Sequence, residues 1–179
     1  MVKAVEEYII SLLGVVDRPL PSVWHLQKEF FILTKINPKT QKLFNFAKHY
    51  EGAYSEILQE SYIEPSHYDT AFSTNIKDEI ILNKQGQNTF AKIKQEQSVK
   101  PGFSELLNSL KFIREIYDKL SRDELLFLMY ITYPEFIEYS NAYDKLVKNE
   151  QKRKTLCNNM LKKGLITLDR YGELLLATH

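Results

Sequence analysis

The spacing of the apolar residues changes along the chain, and this change constrains the fold more than any other feature of the sequence. Near the start, Val5, Ile9 and Leu12 recur at steps of three and four residues, which predicts a helix. Between Phe72 and Leu82, apolar residues instead alternate with polar ones on both sides of a short polar turn, which predicts a β-hairpin. A bundle of helices alone would leave this alternation unexplained.

The chain before the hairpin is predicted to form three helices. The first ends at the two prolines of the segment DRPLPS, and Ser22 is a suitable N-cap for the second, VWHLQKEFFILTKI. Gly52 supplies a turn, after which a third helix runs from about Tyr54 to Ile63 and stops before Pro65. Three helices followed by a hairpin is the order of elements in a winged helix, with the hairpin as the wing.

The sequence after the hairpin is helical again. The segment EQSVKPG, at 96–102, is the predicted domain boundary, so we expect a winged-helix-like domain at 1–97 and a helical extension packed on it at 98–179. In the extension, the segment SRDE that begins at Ser121 matches a capping box, and one long helix is predicted from about Ala142 to Lys162. The predicted fold class is therefore mainly α (α+β), with one β-hairpin.

Composition and charge exclude several classes of protein. A single cysteine, Cys157, excludes a disulfide within the chain and fits a reducing, cytoplasmic setting. The longest apolar run, Leu125 to Tyr133, is far shorter than the roughly 20 residues of a membrane-spanning helix, so no membrane association is predicted. Because the formal net charge is only +1, any electrostatic preference of the chain has to be local.

Motifs typical of enzymes and cofactor sites are absent from the sequence. No two histidines stand three or four residues apart, and the six glycines are scattered, so they form no phosphate-binding loop. Serine and cysteine residues occur without the signatures of nucleophilic catalysis, and Cys157 falls on the apolar face of its predicted helix. We therefore predict that the protein is not an enzyme and holds no metal or cofactor.

The chain carries no lysine or arginine between His49 and Ile76. Five acidic residues occupy the same span: Glu51, Glu56, Glu60, Glu64 and Asp69. DNA binding depends on the neutralisation of phosphates, so a third helix with Glu56 and Glu60 would be repelled from the groove that it should enter. Two interpretations remain: a solvated acidic face without a partner, or a surface for a protein partner whose own surface is basic.

Tyrosines accompany the carboxylates in this acidic span. Tyrosine offers rigid contact area together with a hydroxyl group, a combination typical of protein interfaces, although core packing also accounts for many tyrosines. The partner-binding surface is predicted to consist of five residues: Tyr50, Glu51, Tyr54, Glu56 and Glu60.

Two basic segments leave DNA binding open as the alternative. One precedes the acidic span and the other lies on the predicted long helix, where a solvated helix face is the ordinary explanation. If the protein were instead a winged-helix regulator of transcription, the wing and the last long helix would contact phosphates. The residues predicted for this alternative role are Lys77, Lys148, Lys152, Arg153 and Lys154.

The segments WHLQKEFFIL and FAKHYEGAYSEIL resemble the SocA-like, or Panacea, domain of antitoxins. The residues LQK, at 26–28, match that family's helix motif. Gly52 and Tyr54 match its aromatic-Gly-Pro-aromatic turn, in which this chain has Ala53 in place of the proline. The resemblance covers about the first half of the chain and implies a non-catalytic module that binds a partner protein, often a toxin in that family. A homodimer stays open as well.

Overall fold

The computed structural model describes residues 1–177 and is mainly helical, as predicted. The helices are α1 (Val2–Gly14), α2 (Val23–Ile36), α3 (Gln41–Phe44), α4 (Glu56–Ile63), α5 (Lys84–Gln97), α6 (Phe103–Tyr117), α7 (Arg122–Thr132), α8 (Glu150–Lys162) and α9 (Leu168–Leu176). The strands are β1 (Ala47–His49), β2 (Gly52–Tyr54), β3 (Phe72–Thr74) and β4 (Ile80–Leu82). Within the described residues, no helix combines the length with the apolar character that crossing a lipid bilayer requires.

The contacts within the chain divide it into two compact units. The first unit contains residues 1–46 and 55–118, and the second contains residues 47–54 together with those from 119 onward. This division differs from the predicted boundary between residues 97 and 98. The chain enters the second unit briefly at 47–54, returns to the first, and enters the second again after α6.

The core of the first unit explains why α6 belongs to it. Helix α6 packs on α1 and α2, and its residues Leu110 and Ile113 are fully buried in the same apolar cluster as Val5, Ile9 and Leu26. The regular apolar stripe of α6 therefore completes the core that the first two helices begin. A boundary at 97 would separate α6 from the helices on which it packs.

The hairpin predicted between Phe72 and Leu82 is confirmed in the first unit. Strands β3 and β4 pair antiparallel, with Phe72 opposite Leu82. Leu20 adds an isolated bridge to Ile80, in which the N–H of each residue donates to the carbonyl oxygen of the other at 2.8 Å. The hairpin is thereby tied to the segment that connects α1 with α2.

Helix α4 begins at a buried junction with α2. Ser55 is its N-cap, and the Ser55 hydroxyl accepts a hydrogen bond from the N–H of Leu58. The Gln27 side-chain amide donates to the Ser55 carbonyl at 3.0 Å and accepts from the Ser55 N–H at 2.9 Å. The predicted start of this helix, at about Tyr54, lies one residue before the observed N-cap. The two hydrogen bonds with Gln27 hold the start of α4 against α2.

The loop after α4 is held by Glu6, a fully buried residue of α1. The Glu6 carboxylate accepts hydrogen bonds from the N–H groups of Ser66, His67 and Tyr68 at 2.9, 3.0 and 2.8 Å. Charge-assisted hydrogen bonds to backbone donors are among the stronger ones in proteins. One carboxylate thus sets the path of the chain from α4 towards the β3–β4 hairpin.

The second unit contains a hairpin that was not predicted. Strands β1 and β2 pair antiparallel, with Ala47 opposite Tyr54 and His49 opposite Gly52. The prediction of a single hairpin was wrong because the sequences of β1 and β2, AKH and GAY, contain no alternation of apolar and polar residues.

Capping residues set the helices of the second unit. The capping box that begins at Ser121 is confirmed as the start of α7. The single helix predicted from about Ala142 to Lys162 is interrupted at Asn149, whose side chain accepts from the N–H of Lys152 at 2.9 Å and starts α8. Gly164, with a φ of +68°, follows the end of α8, where a glycine commonly ends a helix.

Candidate functional site

The five residues predicted to bind a partner are divided between the two units. Tyr50, Glu51 and Tyr54 lie in the β1–β2 segment of the second unit, whereas Glu56 and Glu60 lie on α4 of the first unit. The structure therefore has two candidate surfaces. We name them the acidic face of α4 and the aromatic hairpin (residues 47–54).

The acidic face of α4 consists of Glu56, Glu60 and Glu64. These residues are spaced four apart, which places them on one side of the helix, and all three are exposed. In the described part of the chain, none of the three forms an ion pair. Ile63 beside them is 62% exposed. Unpaired carboxylates thus line this side of α4.

The acidic face does not stabilise the helix that carries it. Glu56 lies in the first turn, where a negative charge is favourable. Glu60 lies in the last turn and Glu64 is the C-cap, where the helix dipole is negative and no basic residue balances it. Like charges four residues apart also repel each other by about 0.2–0.5 kcal/mol per pair. Helix stability therefore gives no reason for this arrangement.

The aromatic hairpin presents Tyr50 at its turn. The side chain of Tyr50 is 53% exposed. The His49 ring lies 3.7 Å from the Tyr50 ring and 4.7 Å from the Tyr54 ring, measured between centroids. Tyr50 is therefore an accessible ring that its neighbours support.

Glu51, in contrast, is engaged within the second unit. Its carboxylate accepts a hydrogen bond from the Arg122 guanidinium, and its side chain is only 14% exposed. Lys48 of the same hairpin pairs with Glu138, and the hydrogen bond between them raises the pKa of Lys48 and lowers the pKa of Glu138. Glu51 is thus less available to a partner than the sequence suggested.

Gly52→Ala is expected to destabilise the protein by about 1–3 kcal/mol, because the hairpin turn needs a glycine. Gly52 has a φ of +83°, and an added Cβ would lie 1.7 Å from the Cε atom of Met129. Met129 is only 5% exposed, so its methyl end can move only within the core of the second unit. Urea denaturation followed by far-ultraviolet circular dichroism would measure the loss.

Gly172→Ala is the matched control for this prediction. Gly172 lies within α9, and an added Cβ would meet no heavy atom within 4 Å. Alanine favours a helix interior over glycine by about 1 kcal/mol, so this variant is expected to be neutral or more stable. Equal losses in the two variants would contradict the role assigned to Gly52.

The burial of Arg153 contradicts its assignment as a nucleic-acid-binding residue. Arg153 is only 8% exposed, and its Nη1 donates a hydrogen bond to the carbonyl oxygen of Val147. A guanidinium held against the backbone in this way cannot reach a base edge. A single continuous helix would place Arg153 on a solvated face, whereas the interruption at Asn149 brings its side chain onto the Val147 carbonyl.

The four lysines of the same prediction do not form one cationic strip. Lys148 and Lys152 each form an ion pair with a nearby aspartate, at 2.8 and 2.6 Å. Lys154 and Lys77 are both exposed. Because Lys77 belongs to the first unit and the others to the second, no single unit carries the whole set.

The turn of the β3–β4 hairpin carries a feature that was not predicted, a fully exposed Ile76. The Oδ1 atom of Asn75 accepts from the N–H groups of Lys77 and Glu79 at 2.8 and 3.1 Å, and its Nδ2 donates to the Glu79 carboxylate at 2.9 Å. Asp78 adopts a left-handed conformation, with a φ of +61°. An asparagine at the start of a polar turn was the available signal, since its side chain commonly organises such turns.

Cys157 lies in the core of the second unit, as predicted. The residue is fully buried, and this burial raises the pKa of its thiol. A raised pKa disfavours the thiolate, which is the nucleophilic form. Among residues 1–177, no three histidine, cysteine, aspartate or glutamate residues come together in a way that could hold a metal ion.

Comparison with protein-family models, with curated proteins and with solved structures found no match for this chain. The resemblance to antitoxin domains therefore rests on its motif residues alone. Two of these, Gln27 and Gly52, have structural roles at the start of α4 and in the hairpin turn. The fold itself explains both residues, so any functional assignment has to come from the exposed surfaces.

Proposed function

We propose that this protein is a non-catalytic regulatory module of antitoxin type, which uses the acidic face of α4 to bind a partner protein with a basic surface. The observation that carries the proposal is the exposure of Glu56, Glu60 and Glu64 without ion pairs among the described residues. Glu60 and Glu64 weaken the helix that carries them. A cationic partner would turn this unfavourable charge into an attractive interaction.

The order of elements in the first unit supports a winged-helix arrangement with an exposed third helix. Helices α1, α2 and α4, with the single-turn helix α3 between α2 and α4, precede the β3–β4 hairpin. The bridge between Leu20 and Ile80 adds a short third segment to that hairpin. In helix-turn-helix proteins the recognition helix enters the major groove of DNA. With α4 in that position, its carboxylates would face phosphates, which favours a polypeptide over DNA as the partner.

The aromatic hairpin of the second unit offers a separate contact in this proposal. Tyr50 is exposed at the hairpin turn, and the His49 ring contacts the rings of both Tyr50 and Tyr54. Exposed tyrosines on a fixed backbone are enriched in protein interfaces. Since Glu51 is paired with Arg122, we expect the partner to contact Tyr50 more than Glu51.

Charge reversal on α4 tests the proposal. The double variant Glu56→Lys/Glu60→Lys is expected to weaken binding of a basic partner by at least about tenfold, because like charges brought together at an interface cost several kcal/mol. Wild type and variant would each be used to recover proteins from cells of the native host. Mass spectrometry would then compare the amount of each recovered protein.

Glu96→Lys serves as the control, since Glu96 is an exposed residue of α5 in the same unit. Thermal unfolding would check that all variants keep their fold. The same proteins would be tested for retardation of mixed DNA duplexes at low salt, because binding to DNA weakens steeply as salt is added. A salt-sensitive DNA complex, without any recovered protein that depends on Glu56 and Glu60, would contradict the proposal and favour a DNA-binding winged-helix regulator.

A further inference from the structure

A cleft of about 700 Å³ lies in the first unit, between the segment that follows α1 and the hairpin strand β4. The apolar residues Val16, Ile81 and Phe90 line it together with two polar ones, Asp17 and Gln87. Clefts of roughly 300–1,000 Å³ that combine apolar residues with a few polar groups are typical binding sites. The pairing of β4 explains why this cleft exists and which chemistry fits it.

One edge of β4 is paired with β3, where Ile81 lies opposite Ser73. Residues of an antiparallel strand direct their N–H and C=O groups to alternate edges, so the groups of Ile80 and Leu82 are directed away from β3. Ile80 uses both of its groups on this second edge, because it exchanges two hydrogen bonds with Leu20 at 2.8 Å. The second edge of β4 is therefore paired at Ile80.

The second edge of β4 is not paired at Leu82. If the antiparallel pairing of Leu20 continued by two residues, Arg18 would lie opposite Leu82. Within the described residues, no hydrogen bond joins these two. The carbonyl groups of Arg18 and Pro19 instead accept hydrogen bonds from Nη2 of Arg114, at 3.0 Å each. The pairing therefore stops, and the cleft lies beside the N–H and C=O groups of Leu82.

Water is the ordinary partner of such groups at a strand edge, and Leu82 is exposed enough for water to reach it. An unpaired strand edge is also a template for another chain, whose backbone offers an N–H and a C=O group at the same spacing. Leu82 differs from an ordinary edge residue because the cleft beside it has room for the side chains of such a chain.

We infer that the cleft binds an extended polypeptide segment with apolar side chains, which pairs its own backbone with Leu82. One residue of that segment takes the place opposite Leu82 that Arg18 leaves empty, and the neighbouring side chains fill the cleft. The addition of a strand to an exposed sheet edge is a recurring way of binding peptides. This inference goes beyond the proposed function, since no residue of α4 lines the cleft.

The groups around the cleft disfavour other occupants. A purely apolar molecule would displace water from Leu82 and leave its N–H and C=O groups unpaired, which costs binding free energy. An anion such as a phosphate would meet Asp17, which is exposed and forms no ion pair in the described part of the chain. Arg18 does not compensate for this charge, because it pairs with Asp118 at 2.7 Å. An uncharged peptide segment meets neither penalty.

Titration of the full chain with the capped peptide acetyl-valyl-leucyl-valine methylamide tests the inference, with the backbone amide resonances followed by NMR. The amide resonance of Leu82 is expected to shift and to reach saturation. A second peptide of the same sequence, methylated on every amide nitrogen, keeps the apolar side chains but cannot donate to the Leu82 carbonyl. It is expected to bind at least about fivefold more weakly, the loss typical of a group left without its hydrogen bond.

Gln87→Trp tests whether the peptide lies in the cleft. Gln87 is an exposed residue of α5 that lines the cleft, so a larger side chain there narrows the cleft without entering the core. The affinity for the unmethylated peptide is expected to fall at least about fivefold. Gln95→Trp is the matched control, because Gln95 is an exposed glutamine of the same helix and does not line the cleft. Thermal unfolding would check that both variants keep their fold.

A saturable shift of Leu82 that needs the peptide N–H groups, and that weakens with Gln87→Trp but not with Gln95→Trp, supports the inference. Equal affinity for the two peptides overturns backbone pairing and the inference with it. Equal affinity of Gln87→Trp and Gln95→Trp places the peptide outside the cleft and has the same consequence. The inference is also overturned if Leu82 shows no saturable shift at any concentration at which the peptide stays dissolved. None of these results bears on the acidic face of α4, which the charge-reversal variant tests.

Discussion

Arg114→Ala is expected to destabilise the protein by about 3–5 kcal/mol, because it leaves buried groups without the partner that they share. Arg114 is fully buried in the first unit. Its Nε donates to Asp118 at 2.8 Å, its Nη1 to the Leu12 carbonyl at 2.9 Å, and its Nη2 to the carbonyls of Arg18 and Pro19 at 3.0 Å each. One side chain therefore joins α6 to the end of α1 and to the segment that follows it.

The free energy of unfolding in urea would be measured for three variants of α6. Arg114→Lys keeps the positive charge but not the planar guanidinium, so its free energy of unfolding is expected to lie between those of wild type and Arg114→Ala. If Arg114→Ala does not fold, Arg114→Lys still tests the prediction. Lys111 is the control because its side chain is 58% exposed and its ion pair with Glu115 spans 3.9 Å. Lys111→Ala is expected to stay within about 0.5 kcal/mol of wild type. An Arg114→Ala loss of that small size would contradict the structural role.

Helix caps and the β3–β4 hairpin could be predicted from the sequence, because residues close together in the chain determine them. Ser22 and Ser121 cap helices as expected, because a capping hydroxyl needs only a backbone N–H two or three residues ahead. The hairpin between Phe72 and Leu82 was predicted for a similar reason, since its alternation extends over both strands. In each case the whole signal lies within a short stretch of chain.

The division into two units depends on contacts that a local pattern does not contain. Arg114 reaches the carbonyl of Leu12, which is 102 residues away. In the sequence, Arg114 looks like its neighbour Lys111, a basic residue on an amphipathic helix, although one is buried and the other exposed. The sequence therefore predicted a domain boundary at the Pro-Gly segment before α6, whereas the chain passes into the second unit only after α6, between Asp118 and Lys119.

The candidate site was predictable in part for the same reason. Four-residue spacing was enough to place Glu56 and Glu60 on one side of a helix. Glu51 differs, because its partner Arg122 is 71 residues away and could not be inferred from spacing. Ile76 was passed over because its exposure depends on the fold of the turn around it.

A buried carboxyl group next to Arg114 gives the first unit a pH-dependent stability. Glu29, on α2, is fully buried, and one of its carboxyl oxygens lies 3.8 Å from the Nε of Arg114. Burial, followed by the negative charge of Asp118, raises the pKa of Glu29 well above 4.5, although Arg114 and Arg18 act in the opposite direction. Asp118 accepts hydrogen bonds from both arginines, at 2.8 and 2.7 Å. Burial thus favours the protonated form of the Glu29 carboxyl group.

The free energy of unfolding of the wild type is expected to fall as pH rises, because Glu29 loses its proton. Glu29→Gln, which cannot ionise, is expected not to show this fall. Because the folded pKa is raised, the folded protein holds a proton that the unfolded chain releases near pH 4.5. The stabilising contribution of that proton is complete below this pH and is lost as pH rises towards the folded pKa. Within this window each pH unit lowers the free energy of unfolding of the wild type, relative to that of the variant, by about 1.4 kcal/mol.

The pH profile of the unfolding free energy distinguishes this effect from a simple change in packing. Urea denaturation of wild type and Glu29→Gln over a range of pH should give curves that separate as pH rises above about 4.5 and run parallel once the folded pKa of Glu29 is passed. A packing change would instead offset the two curves by a constant amount. Glu115→Gln is the control, because Glu115 is 51% exposed on α6 and its charge faces solvent. Parallel curves for wild type and Glu29→Gln over the whole range would mean that Glu29 titrates alike in the folded and unfolded states, and would contradict the pKa increase assigned to its burial.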